Sequence, residues 1–407
     1  MAIDAIGLFA AAADVETRAL WMRPSTGEAL VGLGSAAVLL GSPERVAAEW
    51  RALLTDTDAD TDSDAAGLAG PRLLGGFSFD PLALHSQLWE GFGAGRFVLP
   101  ERLFTIQDQT TSLTTSRVVG DIEPSPRPCS APLPPARPGL SADDWQSLVA
   151  EVAATIRRGE SGLRKVVLAS AMQVPTRATL ETALRQLAAD YPSCTIFALA
   201  TADACFLGAT PERLVGMHDG TATTMALAGS APRGASTAED QAIAQRLLND
   251  PKERSEHSVV VDAMCESLAP LTSRLVADVE PRIHALANVQ HLITPIRAQV
   301  CKGRGVLDLV AGLHPTPAVG GYPRAAALEL IRDREGLDRG WYAGPIGWVD
   351  ARGEGEFVVG LRSALVRGEA TTLFAGCGIM ADSDPPTEYA EWGWKLRPMC
   401  RALGAET

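Results

Sequence analysis

Strand-like segments come in runs along this chain, and that arrangement limits its fold more than any other feature. Apolar or alternating stretches bounded by Gly and Pro lie at 95–100, 165–168, 194–200, 225–230, 289–293 and 344–349, with a single longer strand read at 357–365. The segment 71–81 reads as two strands around a Gly-Gly break, and 206–215 as two around a turn at Gly208-Ala209-Thr210-Pro211. Helical patterns fall between the runs. Pro43 to Leu54 opens at Ser42, and Trp145, Leu148, Val152 and Ile156 form a stripe behind the cap pair Ser141 and Asp144. Leu180 to Ala189 and residues 237–249 complete the set, and Asp250-Pro251 restarts a helix. The strands do not alternate with helices at a steady βαβ period, and no repeat of about 20–50 residues is present. An α+β chain with antiparallel sheets is predicted. The proline-rich stretch 123–139 holds neither helix nor central strand and reads as the one clear linker, either between two subdomains or across a surface.

Charge narrows the partners. The net charge of −13 over 407 residues argues against a nucleic acid held through its phosphates. A local cluster of Lys, Arg and metal can still bind an anionic small molecule. The alternating Asp residues of 55–64 offer no register with both the turn glycine and the terminal Glu of a calcium loop, so a flexible acidic surface loop is expected. Seven scattered cysteines with no C-x-x-C pair read as thiols of a reducing compartment. With no basic leader and no membrane-length apolar run, a cytoplasmic protein is expected.

The chemistry concentrates near the end of the chain. Gly376 and Gly378 leave their backbone N–H groups open to a ligand, and Pro385-Pro386 leads into a helix start. Glu388, Glu391 and Lys395 then share one helix face. Glu253 and Glu256 repeat the acidic spacing on the helix after Asp250, where helix capping and the dipole are competing explanations for acids. If the two helices face each other, four carboxylates bracket one hard cation such as Mg²⁺.

These segments, taken together, resemble the chorismate-utilising family of isochorismate, salicylate, anthranilate and aminodeoxychorismate synthases. The resemblance is carried, in order, by KVVLAS (165–170), GATPERL (208–214), ALAGSAPRG (226–234), DPKERSEH (250–257) and VQHLIT (289–294). It continues through LHPTPAVGGYP (313–323), WYAGPIGW (341–348), GEFVVGLRSA (355–364) and the 376–395 stretch, with weaker echoes in GGFSFDP and RFVLPE. It implies a single large α+β domain with layered antiparallel sheets flanked by helices, the fold of anthranilate synthase component I. Residues 1–139 would be its more divergent part and 140–407 its chorismate-binding catalytic region.

The resemblance also assigns roles. Lys165 matches the lysine that deprotonates an attacking water, and Glu212 the acid that protonates the leaving hydroxyl. Glu256 and Glu391 match direct Mg²⁺ ligands, with Glu253 and Glu388 touching the ion's water shell. Arg362, Tyr342, Lys395 and the Gly376 and Gly378 backbone match the groups that hold substrate carboxylates. His291 matches a histidine near the ring, and Gly229, Ser230 and Ala318 line the substrate site. Two positions depart from the family pattern: Ala169-Ser170 ends the lysine segment where Ser-Arg or Ala-Arg is usual, and Trp392 replaces a threonine.

Within the family, Lys165 points away from anthranilate synthases, to water as nucleophile or to the covalent-lysine chemistry of aminodeoxychorismate synthases. Aminodeoxychorismate synthases carry a different segment at 226–230. Salicylate synthases tend to have threonine at the positions of Ser230 and Ala318. The resemblance therefore implies an isochorismate synthase, a Mg²⁺-dependent isomerase, with salicylate synthase as the alternative and aminodeoxychorismate synthase component I behind it. It further implies a monomer acting on chorismate without a glutaminase subunit, feeding menaquinone, siderophore or other salicylate-derived products.

Overall fold

Successive residues of the strand Arg18–Arg23 face opposite ways, as a two-residue pleat requires: Ala19 and Trp21 join one buried cluster and Leu20 another. The computed structural model describes residues 3–55, 70–83, 85–108, 110–118, 140–159, 162–285 and 289–405. The segment 123–139 and the acidic stretch beyond Thr55 lie outside the described residues.

Two ten-stranded sheets form the scaffold, and every strand pairing among the described residues is antiparallel. The first runs Gly321–Tyr322, Lys165–Pro175, Ala370–Ile379, Ser363–Arg367, Ala204–Thr210, Thr195–Ala200, Arg18–Arg23, Glu28–Leu33, Arg102–Gln107, Thr110–Thr115. The second runs Thr272–Ala277, Val289–Val300, Thr221–Pro232, Arg213–His218, Gly355–Val359, Pro345–Asp350, Arg72–Phe77, Gly95–Leu99, Ala37–Leu40, with Arg282–Ala285 also paired to Val289–Val300. The N-terminal third thus supplies strands to both sheets. This is the layered α+β fold expected from the sequence.

One buried cluster joins the sheets, with Trp21 and Leu30 from the first and Phe97 and Phe357 from the second. The other packs Leu20, Ile196 and Leu207 of the first sheet against helices Ala5–Ala11, Leu180–Asp190 and Pro385–Leu403. Helix starts follow local capping. Ser141 Oγ accepts from Asp144 N–H at 3.2 Å, Asp250 Oδ1 from Lys252 and Glu253 N–H at 2.8 and 3.1 Å, and Asp384 Oδ2 from Thr387 N–H at 3.2 Å. No helix among the described residues is long and apolar enough to cross a membrane.

Three local expectations are corrected. Gly75-Gly76 breaks nothing: Arg72–Phe77 is one buried strand. A Cβ on Gly75 would lie 2.0 Å from Arg96 O, and one on Gly76 2.6 Å from Ile346 Cδ1, so these glycines serve close packing between strands. Gly208 to Thr210 finish a strand, and the chain turns only at Pro211-Glu212. A Cβ on Gly208 would meet Arg362 O at 2.8 Å. The span 357–365 is two strands in different sheets, Gly355–Val359 and Ser363–Arg367, joined through Arg362 at a positive φ of 45°.

Candidate active site

A cavity of about 350 Å³ opens between the two sheets, and every site residue read from the sequence lines it. The first sheet contributes Lys165, Gly376 and Gly378, and the second Gly229, Ser230 and His291. Helix Pro251–Leu268 brings Glu253 and Glu256, and helix Pro385–Leu403 brings Glu388, Glu391 and Lys395. Glu212, Ala318, Tyr342 and Arg362 come from connecting segments. A cavity of this size suits a small organic ligand.

The acids gather on one side. Glu388 and Glu391 each place a carboxylate oxygen within 4.8 Å of the other and of Cys377 Sγ. Burial pushes the Glu253 carboxyl above its usual range, and neighbouring Glu256 adds to this. Burial raises Glu388 too, and Glu391 and, across the gap, Glu256 add repulsion against a hydrogen bond from Ser383. Burial pushes the Cys377 thiol up to about 12, so it stays protonated, and it donates to Glu388 O at 3.3 Å. What is left is an all-carboxylate donor set with mutually repelling members, which fits a hard divalent cation such as Mg²⁺. Gly229 shapes one wall. It sits at φ 77° where the pairing register of Thr221–Pro232 shifts, and the next N–H, of Ser230, donates to Glu253 Oε2 at 3.2 Å. Glu253 is thus held toward the cavity by a neighbouring strand, beyond any part it plays at the helix start.

Lys165 and Glu212 line the same cavity, and Lys165 sits directly against one of these acids. Lys165 is buried at the start of its strand, and its Nζ donates to Glu256 Oε1 at 2.5 Å. A Cβ on Gly378 would stand 3.0 Å from Lys165 Cε, so glycine there leaves the lysine its room. Glu212 is buried just past the strand Ala204–Thr210, with its N–H donating to Thr210 Oγ1 at 3.2 Å. Burial raises its pKa from 4.5 to about 7, against the opposing pull of Lys165 and Lys395. It can therefore carry a proton near neutrality. His291 is driven the other way, down to about 3, by burial and by the Arg362 and Lys395 charges. As a neutral ring it shares a 2.7 Å hydrogen bond between Nδ1 and Ser230 Oγ.

Two cationic side chains and an unpaired strand edge complete the lining. Arg362 Nη1 is buried with no hydrogen-bond partner among the described residues, while the guanidinium also lies against the Cys194 thiol and over the Tyr191 ring. An orphaned buried guanidinium nitrogen is costly unless a ligand oxygen meets it. Lys395 Nζ donates to Gly376 O at 2.8 Å and pairs with Glu391 Oε1 at 2.8 Å. The strand Ser363–Arg367 starts opposite Phe374, so beyond Phe374 that edge of Ala370–Ile379 pairs with no strand among the described residues, beside Gly376 and Gly378. The Tyr342 ring stacks on Phe374 with centroids 5.2 Å apart.

Sequence reasoning passed over several residues here. Ala343, at φ 61°, lines the cavity with Arg362, in a backbone conformation that a non-glycine residue seldom takes. Its neighbour Gly344 sits in a Tyr-Ala-Gly turn that offered a weak sign of this. Glu335 and Arg339 form a buried ion pair behind the lysine strand. Glu335 Oε2 accepts from Ala169 N–H at 2.8 Å, and Arg339 Nη2 donates to Val167 O at 2.7 Å. The i, i+4 acid–base spacing was visible, but its burial was not. Lys252, Ser383 and Trp394 also reach the cavity.

The profile of the family described as chorismate binding enzyme matches residues 1–131 and 124–404. The chain belongs to the chorismate-binding enzyme family. It is 38% identical to the salicylate biosynthesis isochorismate synthase of Pseudomonas aeruginosa, over 99% of this chain and 88% of that protein. It is 34% identical to the isochorismate synthase MenF of Bacillus subtilis, over 96% of this chain and 88% of that one. Among solved structures, MenF, the menaquinone-specific isochorismate synthase from Escherichia coli, superposes with a TM-score of 0.79 at 26% identity. That match covers 99% of this chain and 92% of that one.

Proposed function

We propose that this chain is an isochorismate synthase, interconverting chorismate and isochorismate by water attack at C2 and loss of the C4 hydroxyl. The observation that carries the reading is that Lys165 and a Glu212 held near pKa 7 line one cavity together with four carboxylates and a buried Arg362 Nη1 that has no hydrogen-bond partner among the described residues. The relatives named above are themselves called isochorismate synthases.

In this mechanism Arg362 and Lys395 face the substrate carboxylates, with Gly376 and Gly378 N–H groups as neutral donors and the Tyr342 ring as a flat wall. Lys165 Nζ removes a proton from the incoming water as its oxygen bonds to C2. The ring double bonds shift, the C4–O bond breaks, and Glu212 delivers its proton to the departing oxygen. One water enters and one leaves, so atoms balance. Turnover leaves Lys165 protonated and Glu212 ionised, which is the starting state for the reverse reaction. Glu256 and Glu391 would hold Mg²⁺ directly, with Glu253 and Glu388 on its water shell. The ion would supply positive charge at the ring carboxylate.

The test is product identification. Purified protein with chorismate and Mg²⁺ is analysed by chromatography against isochorismate and salicylate standards. Isochorismate is expected. Salicylate and pyruvate in equal amounts from the first minutes would replace this reading with salicylate synthase.

A further inference from the structure

Four carboxylates face the cavity from two helices, and the pairing of Glu256 with Lys165 and of Glu391 with Lys395 offsets only part of their repulsion, so the spacing of the helices depends on other contacts as well. Glu388 feels Glu256 across the gap, so the repulsion acts between helix Pro251–Leu268 and helix Pro385–Leu403. At the cavity rim, Lys252 Nζ of the first helix pairs with Asp382 Oδ2 at 2.6 Å. Asp382 lies in the short segment that leads into the second helix. Among the described residues this is the one ion pair joining the first helix to the stretch that carries Glu388 and Glu391.

The segment around Asp382 is well fixed, so its position passes to the helix. Met380 N–H donates to Ser383 Oγ at 3.1 Å, Arg157 Nη2 donates to Ala381 O at 2.5 Å, and Asp384 caps the helix start. Ser383 also hydrogen-bonds the Glu388 carboxyl. Asp382 is thus two short links away from one of the acids.

We infer that Lys252 and Asp382 form a clasp across the cavity rim that sets the spacing of the two carboxylate-bearing helices, and with it the cavity's affinity for a divalent cation. They are positioning residues and do not touch the ion. The inference rests on the metal reading given above. Because the two side chains are 52% and 58% exposed, the clasp is a modest one, and salt should weaken it.

The sign of the effect separates a clasp from plain electrostatics. By charge alone, removing the Lys252 cation beside four carboxylates tightens binding of another cation. If Lys252 acts as a clasp, its removal weakens binding. Mg²⁺ is titrated calorimetrically, at low ionic strength and without chorismate, into wild type, Lys252→Met, Asp382→Ala and the exchanged pair Lys252→Asp/Asp382→Lys. The expected result is a dissociation constant raised about three- to fivefold in each single variant and restored to about the wild-type value in the exchanged pair. Tighter or unchanged binding in Lys252→Met overturns the clasp. Thermal melts verify folding; should a single variant be unfolded, the exchanged pair decides, since weakened binding there overturns the clasp as well. Glu256→Gln keeps the two readings apart. Wild-type binding that Glu256→Gln abolishes and Lys252→Met leaves unchanged removes the clasp alone, whereas absence of saturable binding in wild type removes the metal reading and the clasp together.

Discussion

Replacing Glu212 by Gln should make the protein more stable at alkaline pH while removing most of its activity. The folded state raises this carboxyl from 4.5 to about 7, with burial as the leading cause. Below the unfolded value both states bind the proton, and Glu212 contributes no penalty. Between 4.5 and about 7 the unfolded chain releases the proton while the folded one keeps it, so wild-type stability falls as pH rises. At about 1.36 kcal/mol per pH unit, the full loss is about 3 kcal/mol once pH passes the folded value. For a chain of this length that corresponds to about 4 °C in melting temperature. Gln has the same shape and no charge to bury, so its curve should lack this slope. The assay is thermal unfolding of both proteins from pH 5 to pH 8, reading the difference between them so that other titrating groups cancel. Chorismate turnover in the variant should drop about 10²–10⁴-fold, the usual worth of a general acid. In wild type the forward rate should decline above about pH 7 as the acid loses its proton. Two melting curves that stay parallel across that range would refute the account of Glu212.

Other perturbations test the rest of the site. Excess chelator should abolish turnover and Mg²⁺ restore it, and Glu256→Gln or Glu391→Gln should each do most of that damage, read as Mg²⁺ binding as well as rate. Lys165→Ala should lose about 10²–10⁴ in turnover while chorismate still binds through Arg362 and Lys395, measured by fluorescence or calorimetric titration. Wild-type turnover in that variant would leave Lys165 as a structural partner of Glu256. Ala318→Thr adds a hydroxyl to the cavity wall and should raise any salicylate side product, detected by chromatography; an unchanged product ratio would free Ala318 of a part in product choice.

Much of the fold was legible because local rules and burial agreed. The stripe of Trp145, Leu148, Val152 and Ile156 is buried as its spacing required, and Asp250 and Pro251 start their helix as capping predicts. Glycine misled where its use was tertiary. Gly75 and Gly208 look like breaks in sequence but sit inside strands, because a neighbouring backbone comes too close for a Cβ. A single sequence does not carry that proximity. The two departures from the family pattern prove to be neighbours: Trp392 Nε1 donates to Ser170 O at 3.4 Å, and its ring stacks on Tyr389 with centroids 5.5 Å apart. A small residue at 170 and a large one at 392 thus meet between the lysine strand and the helix that bears Glu391 and Lys395.

The stretch 357–365 holds the most instructive disagreement. Its apolar alternation predicts one strand, and the residues do obey strand rules on both sides of the break. Val358 pairs with Ile346 in the second sheet, and Ala364 with Leu207 in the first. Between them Arg362 takes a positive φ that a long side chain ordinarily avoids, and the chain crosses from one sheet to the other. Two consequences follow from that one residue. The strand Ser363–Arg367 begins late, leaving that edge of Ala370–Ile379 with no partner strand among the described residues at Gly376 and Gly378. The guanidinium enters the cavity with a buried nitrogen that no described residue satisfies. Strain in the backbone and an unmet donor both cost stability, and a continuous strand would incur neither. Both costs fall on one residue at the cavity wall, as the proposed binding of a substrate carboxylate there would require, and strand periodicity fails where the chain gives up local preference.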